Sequence, residues 1–286
     1  MSTDDLLEWL KAIIRWVHVF AAIMWIGQTY LFNWFEKNLE TDASTRPNVM
    51  GSLWMVHGGG FYFVEKQKNP ELQPRTLHWF KWESATTWLS GLLLIVVTYY
   101  MGGLLVEPEQ NVHIAGAAGI GVVLVGWVIY DQLVNSPLGK HDLAIAAIGW
   151  LALVGVSFGL RKVMSSRAAY IHVGFLVGTI MAANVWMRIL PAQTRMLAAA
   201  REGKVPDDAL KARGPQRSRH NSFMVVPLVF IMISNHYPTI SYGNDYSWAI
   251  LGVVLLVGWT AAKVIRDGGF GGFGGSEKKA PAAPPA

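Results

Sequence analysis

Residues 113–134 read HIAGAAGIGVVLVGWVIYDQLV, and from Ile114 to Tyr130 not one side chain carries a charge. At 1.5 Å rise per residue a helix needs about 20 mainly apolar residues to cross a hydrocarbon core of about 30 Å, so this stretch is long and apolar enough to span a bilayer. Working outward, six more segments of the same kind are found at 9–35, 84–105, 142–163, 168–190, 221–237 and 246–265. Most are edged by Trp, Tyr, Lys or Arg, the anchors of membrane–water interfaces. The whole chain agrees. Of 286 residues 52% are hydrophobic and only 15% charged, mean hydropathy is +0.30, and there are 13 tryptophans. That mix is too apolar for a soluble domain of this length. The expected fold is all-α, a polytopic transmembrane helix bundle of seven spans, or eight if a Gly-rich segment in the first long loop also crosses.

This organisation gives an integral membrane domain over residues 1–267 and a tail, 268–286, that is Gly-rich and then Ala/Pro-rich and is expected to be disordered. The opening MSTDDLLE is acidic and lacks the basic start of a cleavable signal, so the first apolar segment is expected to be retained. Within the domain, residues 36–83 form a long polar loop containing SLWMVHGGGFYFVEKQ (52–67). Its apolar part is too short to span, and Gly58-Gly59-Gly60 would break a helix, so it reads as an interfacial or re-entrant piece. The segment 221–237 is the weakest span, because Pro227 interrupts it; a proline is tolerated there as a kink inside the bundle.

The chain contains no cysteine. That excludes disulfides, thiolate zinc sites, iron–sulfur clusters and covalent Cys-x-x-Cys-His haem, leaving His, carboxylate or Met as metal ligands. The net charge of +5 does not point to nucleic acid, since the cations lie in loops between apolar segments, as orientation signals do. Nineteen of the 24 Lys and Arg fall on the side holding the loops after the first, third and fifth spans and the C-terminus. The positive-inside rule places that side in the cytoplasm.

With seven crossings, His172 near the start of the fifth span and His236 near the end of the sixth share one half of the membrane. His18, roughly 14 Å down the first span, is expected there too. Small residues flank two of these rings: Ala21 and Ala22 follow His18, and Ala168, Ala169, Thr179 and Ala183 share a stripe with His172. Haem b held by imidazoles of His18, His172 and His236 suits that pattern, because neutral imidazole is an axial haem ligand and a porphyrin needs apolar walls. Helix packing and interhelical hydrogen bonds account for the same residues equally well. His57, beside the three glycines, is a fourth cofactor-binding candidate or a turn at headgroup level. His220 reads as a helix-cap neighbour or lipid-phosphate contact, and Asp131 as a solvated helix end. Lys81 and Glu83 are two apart, point apart on a helix, and need separate partners.

The motifs WVHVFAAIMWIG (16–27), WMVHGGGFY (54–62), FKWESATTWLSG (80–91), GWVIYDQLVNSPLGK (126–140), IMAANVW (180–186) and the pair QRSRHN (216–221) and SNHYP (234–238) together resemble the membrane domain of the bacterial membrane-bound, cytochrome-c-linked urate oxidases. The resemblance runs from about residue 9 to about 266. It implies a multi-pass protein of the bacterial inner membrane that oxidises urate to 5-hydroxyisourate, with electrons passing through haem to a cytochrome c. Members of that family carry a C-terminal cytochrome c domain, whereas this chain has no cysteine and ends KKAPAAPPA, so the implied acceptor is a separate cytochrome c or another respiratory carrier. Attached c-type haem lies outside the cytoplasm, which conflicts with a cytoplasmic C-terminus. Urate is an anion at neutral pH, and Arg15, Lys81 and Arg167 are the cations placed to hold it. A haem-b electron carrier without enzymatic activity and a cofactor-free purine transporter are the competing readings.

Overall fold

The structure is a computed structural model that describes residues 2–42, 45–68, 76–204 and 208–267. In chain order it runs α1 (Thr3–Asn38), β1 (Val49–His57), β2 (Gly60–Gln67), α2 (Trp82–Ile95), α3 (Val112–Asn135), α4 (Asp142–Leu160), α5 (Ser166–Ala183), α6 (Leu190–Arg201), α7 (Asp208–Ile233) and α8 (Ser247–Asp267). Capping fixes several starts. Ser2 and Asp5 form a reciprocal capping box on α1, Asn111 accepts from the backbone of His113 and Ile114, and Ser165 accepts from Ala168. Two helices widen by one π turn: α2 continues through Val96–Tyr100, and Asn184–Ile189 joins α5 to α6 in one continuous rod.

The helices pack antiparallel along the chain, and cross-links fix which ends meet. At one end Tyr100 meets His172, Ser165 bonds the Leu105 carbonyl and Arg161 the Asp245 carbonyl. At the other, Trp186 bonds Ser84, Gln216 the Gly139 carbonyl and Lys37 the Asp267 carbonyl. We call these the first and second ends. α5 is the central helix, in contact with α2, α3, α4 and α7, whereas α1 leans mainly on α2 and leaves Trp9, Trp16 and Phe20 exposed.

Among the described residues five helical segments are long and apolar enough to cross a membrane: 5–38, 112–135, 142–160, 166–201 and 247–267. The expected second and sixth spans are not among them. The α-helical part of α2 is only 14 residues long, and α7 begins with the charged stretch DALKARGPQRSRHN rather than at Asn221. Pro227 does lie inside α7, where Gly258 of α8 makes room: a Cβ there would sit 2.8 Å from the proline ring.

The fold is mostly helical but not all-α. The Gly-rich segment is a two-stranded antiparallel hairpin in which His57 pairs with Gly60. Gly58 and Gly59 form its two-residue turn at φ of 59° and 79°, the left-handed pair that a tight hairpin needs. The same glycines that break a helix are what close a hairpin. The tail 268–286 lies outside the described residues.

Candidate functional site

The polar side chains inside the helices gather at the two ends. At the first end the π turn of α2 brings Tyr99 and Tyr100 onto α5. His172, 1% exposed, places Nδ1 2.8 Å from the Ala168 carbonyl, which requires the proton on Nδ1. Its Nε2 therefore carries a lone pair and accepts from the Tyr100 hydroxyl at 3.1 Å. Gly119 of α3 closes over this pair so tightly that a Cβ would lie 2.7 Å from both Nε2 and the hydroxyl oxygen. One turn before His172, the Arg167 Nε donates to Asn235 Oδ1 at 3.0 Å.

The buried Tyr99 hydroxyl lies beside the Asn235 amide and the Arg167 guanidinium, close enough to interact with both, though no contact among the described residues reaches ordinary hydrogen-bond geometry. It has company. Of seven buried side-chain polar atoms without a partner among the described residues, those of Thr98, Tyr99, Ser157, Tyr170 and Ser247 all belong to residues at this end of α2, α4, α5 and α8. An unmade buried hydrogen bond costs about 1–3 kcal/mol, so each of these orphans is a local cost carried at the first end, and of them Tyr99 is the one beside the Arg167 guanidinium and the Asn235 amide.

The second end is organised differently. Asp131, 2% exposed, accepts from Arg188 and pairs with Arg217 at 2.9 Å, and Arg217 is itself 1% exposed. Arg217 also donates to Asn184 and Asn135 and lies 5.2 Å from the centre of the Tyr130 ring. Asn184 donates to Tyr130 and Asn221, and the Tyr130 hydroxyl meets Nδ1 of His220 at 2.9 Å. Asp131 is thus a buried ion-pair partner and not a solvated terminus. His220 is held inside α7 between Tyr130 and Asp142, and caps nothing. Every polar member has a partner here, the mark of a structural lock.

The sequence candidates are scattered over this frame. His18 of α1 places Nδ1 2.9 Å from the Thr87 carbonyl. That contact is near the start of α2, whereas His172 meets its last π residue. From Ser90 to Tyr100 the helix rises about 15 Å, so the two rings do not share a depth. The misplacement arises because α1 is 36 residues long and overruns the span from which depth was counted. His236 is exposed past the end of α7 and His57 is exposed at the hairpin turn. Among the described residues no three His, Asp or Glu side chains converge as a metal site does.

A bis-imidazole haem does not fit this arrangement: His172 has both ring nitrogens engaged, and Gly119 closes the space beside it. His18 alone keeps the geometry of a ligand, since donation to the Thr87 carbonyl leaves its Nε2 lone pair open. The cations are equally separate. Arg15 is exposed on α1, Arg167 belongs to the first end, and Lys81 lies at the second end between the rings of Trp82 and Trp186, 5.4 and 5.9 Å from their centres. Glu83 pairs elsewhere, accepting from Gln28 at 3.1 Å, as the divergence of the two charges on a helix requires.

Tyr99, Tyr100 and Gly119 were missed as site residues. Tandem tyrosines ending an apolar run look like an interfacial anchor, and only the π turn turns both inward.

No curated protein and no solved structure matches the chain. A family model does: urate oxidase N-terminal matches residues 4–267, almost all of the helical frame and both clusters, and the chain belongs to that family.

Proposed function

We propose that the chain is a membrane-embedded, urate-oxidising subunit that binds its substrate at the first end and passes electrons to a separate cytochrome c. Family membership points to urate-related oxidoreductase chemistry. The observation that carries the location is the buried Tyr99 hydroxyl beside Arg167 and Asn235, with neither of which it makes a hydrogen bond of ordinary geometry. A planar anion rich in N–H and C=O groups satisfies all three: the guanidinium takes its charge, and the amide and phenol take its polar edges. The oxidation balances as urate monoanion plus water giving 5-hydroxyisourate, one proton and two electrons. In this reading His172 accepts the proton through the Tyr100 hydroxyl, whose hydrogen bond to Nε2 already points the right way. Gly119 and the apolar walls of α3 and α5 exclude bulk water from that transfer. The electrons leave one at a time to the cytochrome.

The apolar outward faces of the five long helices support the membrane setting, and the cation excess at the second end supports placing the first end outside the cytoplasm of a bacterial inner membrane. Haem b stays in the proposal on a narrower footing, with His18 as its ligand. Such a haem supplies one-electron transfer.

The test is turnover of urate by the purified chain with cytochrome c as acceptor. Arg167→Gln is expected to raise KM about 10- to 100-fold, the loss of one charge-assisted contact, with less effect on kcat. Urate uptake into proteoliposomes without oxidation would replace this reading by the transporter. A Soret band reduced by quinol and not by urate would replace it by the electron carrier; a band that survives His18→Ala would remove His18 as ligand.

A further inference from the structure

The hairpin has its faces reversed relative to one that borders water. On β1, Leu53 is 7% exposed and shares a face with Gly51, which packs on Leu39 just past the end of α1, while Ser52 forms a bridge with Glu40. The opposite face should then be polar. Instead it carries Trp54 and Val56 at 70 and 69% exposure, and across the strand Phe63 and Phe61 at 51 and 80%. Trp54 pairs with Phe63 and Val56 with Phe61, so the four form one contiguous apolar plate, the rings of Trp54 and Phe63 lying 4.9 Å apart. The base is charged, with ion pairs Arg46–Glu65 and Lys66–Glu36 and the Lys68 ammonium on the Pro47 carbonyl.

We infer that this plate is a membrane-interface anchor, resting on the lipid headgroup and upper acyl region with Trp54, Val56, Phe61 and Phe63 turned into the bilayer. Two considerations select lipid as the occupant. The hairpin is tied to α1 at the second end, which carries the chain's cation excess, the charge that anionic headgroups match. The plate also joins an aromatic border already there, since Phe80, 56% exposed, packs edge-on against Phe32 of α1 at 5.4 Å. Depth is limited by the backbone. Beyond the Glu40–Ser52 bridge the two-stranded ribbon leaves both edges open, and unpaired N–H and C=O groups are not tolerated in hydrocarbon, so the side chains enter and the strands do not. The interfacial alternative for the Gly-rich segment is thereby chosen over the re-entrant one.

The inference rests on the membrane setting proposed above, and the test separates the two. The chain is naturally free of cysteine, so Val56→Cys and Phe61→Cys each give a unique spin-label site. In nanodiscs of phosphatidylcholine with phosphatidylglycerol, accessibility to oxygen and to a nickel chelate is compared with two references: Val257→Cys on the outward face of α8, 63% exposed, and Glu109→Cys in the exposed loop before α3. Labels at 56 and 61 are expected to favour oxygen as at 257, with an oxygen-to-nickel ratio severalfold above that at 109. A ratio like that at 109 overturns the anchor while 257 still reports lipid. Shielding from both reagents overturns it in favour of a protein contact. A water-like reading at 257 removes the membrane setting itself, and the anchor with it.

Discussion

Asp131 accepts from one guanidinium at the edge of the bundle and pairs with another fully inside it. The arrangement is costly to break from either side. Arg217→Ala leaves Asp131, Asn184 and Asn135 short of donors in a closed space, and Asp131→Asn leaves a buried guanidinium without its counter-charge. Each is expected to lower stability by about 3–5 kcal/mol, read as a drop in the thermal midpoint of the purified protein in detergent. Arg217→Lys should recover only part of it, because one ammonium cannot reach Asp131, Asn184 and Asn135 together. A variant as stable as wild type would show that the network is not the lock. Gly119 makes the sharper test at the other end. A methyl group there lies 2.7 Å from both His172 Nε2 and the Tyr100 oxygen, so Gly119→Ala must force the pair apart; on Gly116, one turn earlier, the nearest Tyr100 atom is 3.6 Å away, an ordinary contact. Gly119→Ala is expected to reduce kcat for urate at least about tenfold, as loss of a proton path does, and Gly116→Ala to leave it unchanged. Equal rates in the two variants would remove His172 and Tyr100 from the chemistry. Neither prediction was accessible from spacing. Asp131 ends an apolar run, where solvation is the usual outcome, and Arg217 sits 86 residues away on a helix whose start the charges disguised.

The hairpin shows, at the scale of the element, where sequence reading stopped short. The signal was present: two runs with apolar, β-branched and aromatic residues, VMGSLWMVH and GFYFVEKQ, flank a glycine pair of the length a two-residue turn requires. It was overridden by the membrane setting, in which a short apolar run between spans is more readily taken for a dipping segment. Helix existence was far more legible, because α1, α3, α4, the α5–α6 rod and α8 each hold an apolar window about as long as a bilayer needs. Helix ends were not, since α5 runs on through a π turn to Arg201 and α7 starts before its apolar part. The turn itself can be tested. Gly58 has φ of 59° and nothing within 4 Å of a built Cβ, so the constraint there is conformational and not steric. Asn tolerates the left-handed region and a β-branched residue does not, at about 1–2 kcal/mol. Gly58→Asn should therefore leave the hairpin as resistant to trypsin at Lys66 and Lys68 as wild type, while Gly58→Val speeds cleavage there without altering the helical bundle. Identical digestion of the two variants would argue against a left-handed turn.

For the whole molecule the decisive quantity is which end faces which compartment. Sixteen of the 21 Lys and Arg among the described residues lie toward the second end, yet Arg161, Lys162 and Arg167 form a local cluster on the cation-poor first end, around the α4–α5 turn beside the proposed urate site. In the orientation proposed above, such a group would favour the capture of an anion arriving from outside, with Arg161 itself held on the Asp245 carbonyl. In the proposed orientation a separate cytochrome outside the cytoplasm would share one compartment with the proposed substrate site. Seven crossings require residues 109 and 140 to lie on opposite sides and the hairpin on the side of 140; an eighth crossing within 39–81 would separate the hairpin's flanks. Single cysteines in place of Glu109, His57 and Lys140, all exposed, decide it. In intact spheroplasts an impermeant maleimide is expected to label residue 109, and to reach 57 and 140 only after permeabilisation. Labelling of 140 and not 109 in intact cells would invert the molecule and place the Tyr99–Arg167–Asn235 cluster in the cytoplasm, out of reach of an external cytochrome. Labelling of 57 together with 109 would make the Gly-rich segment a crossing and dissolve the hairpin's role as an anchor on the inner face.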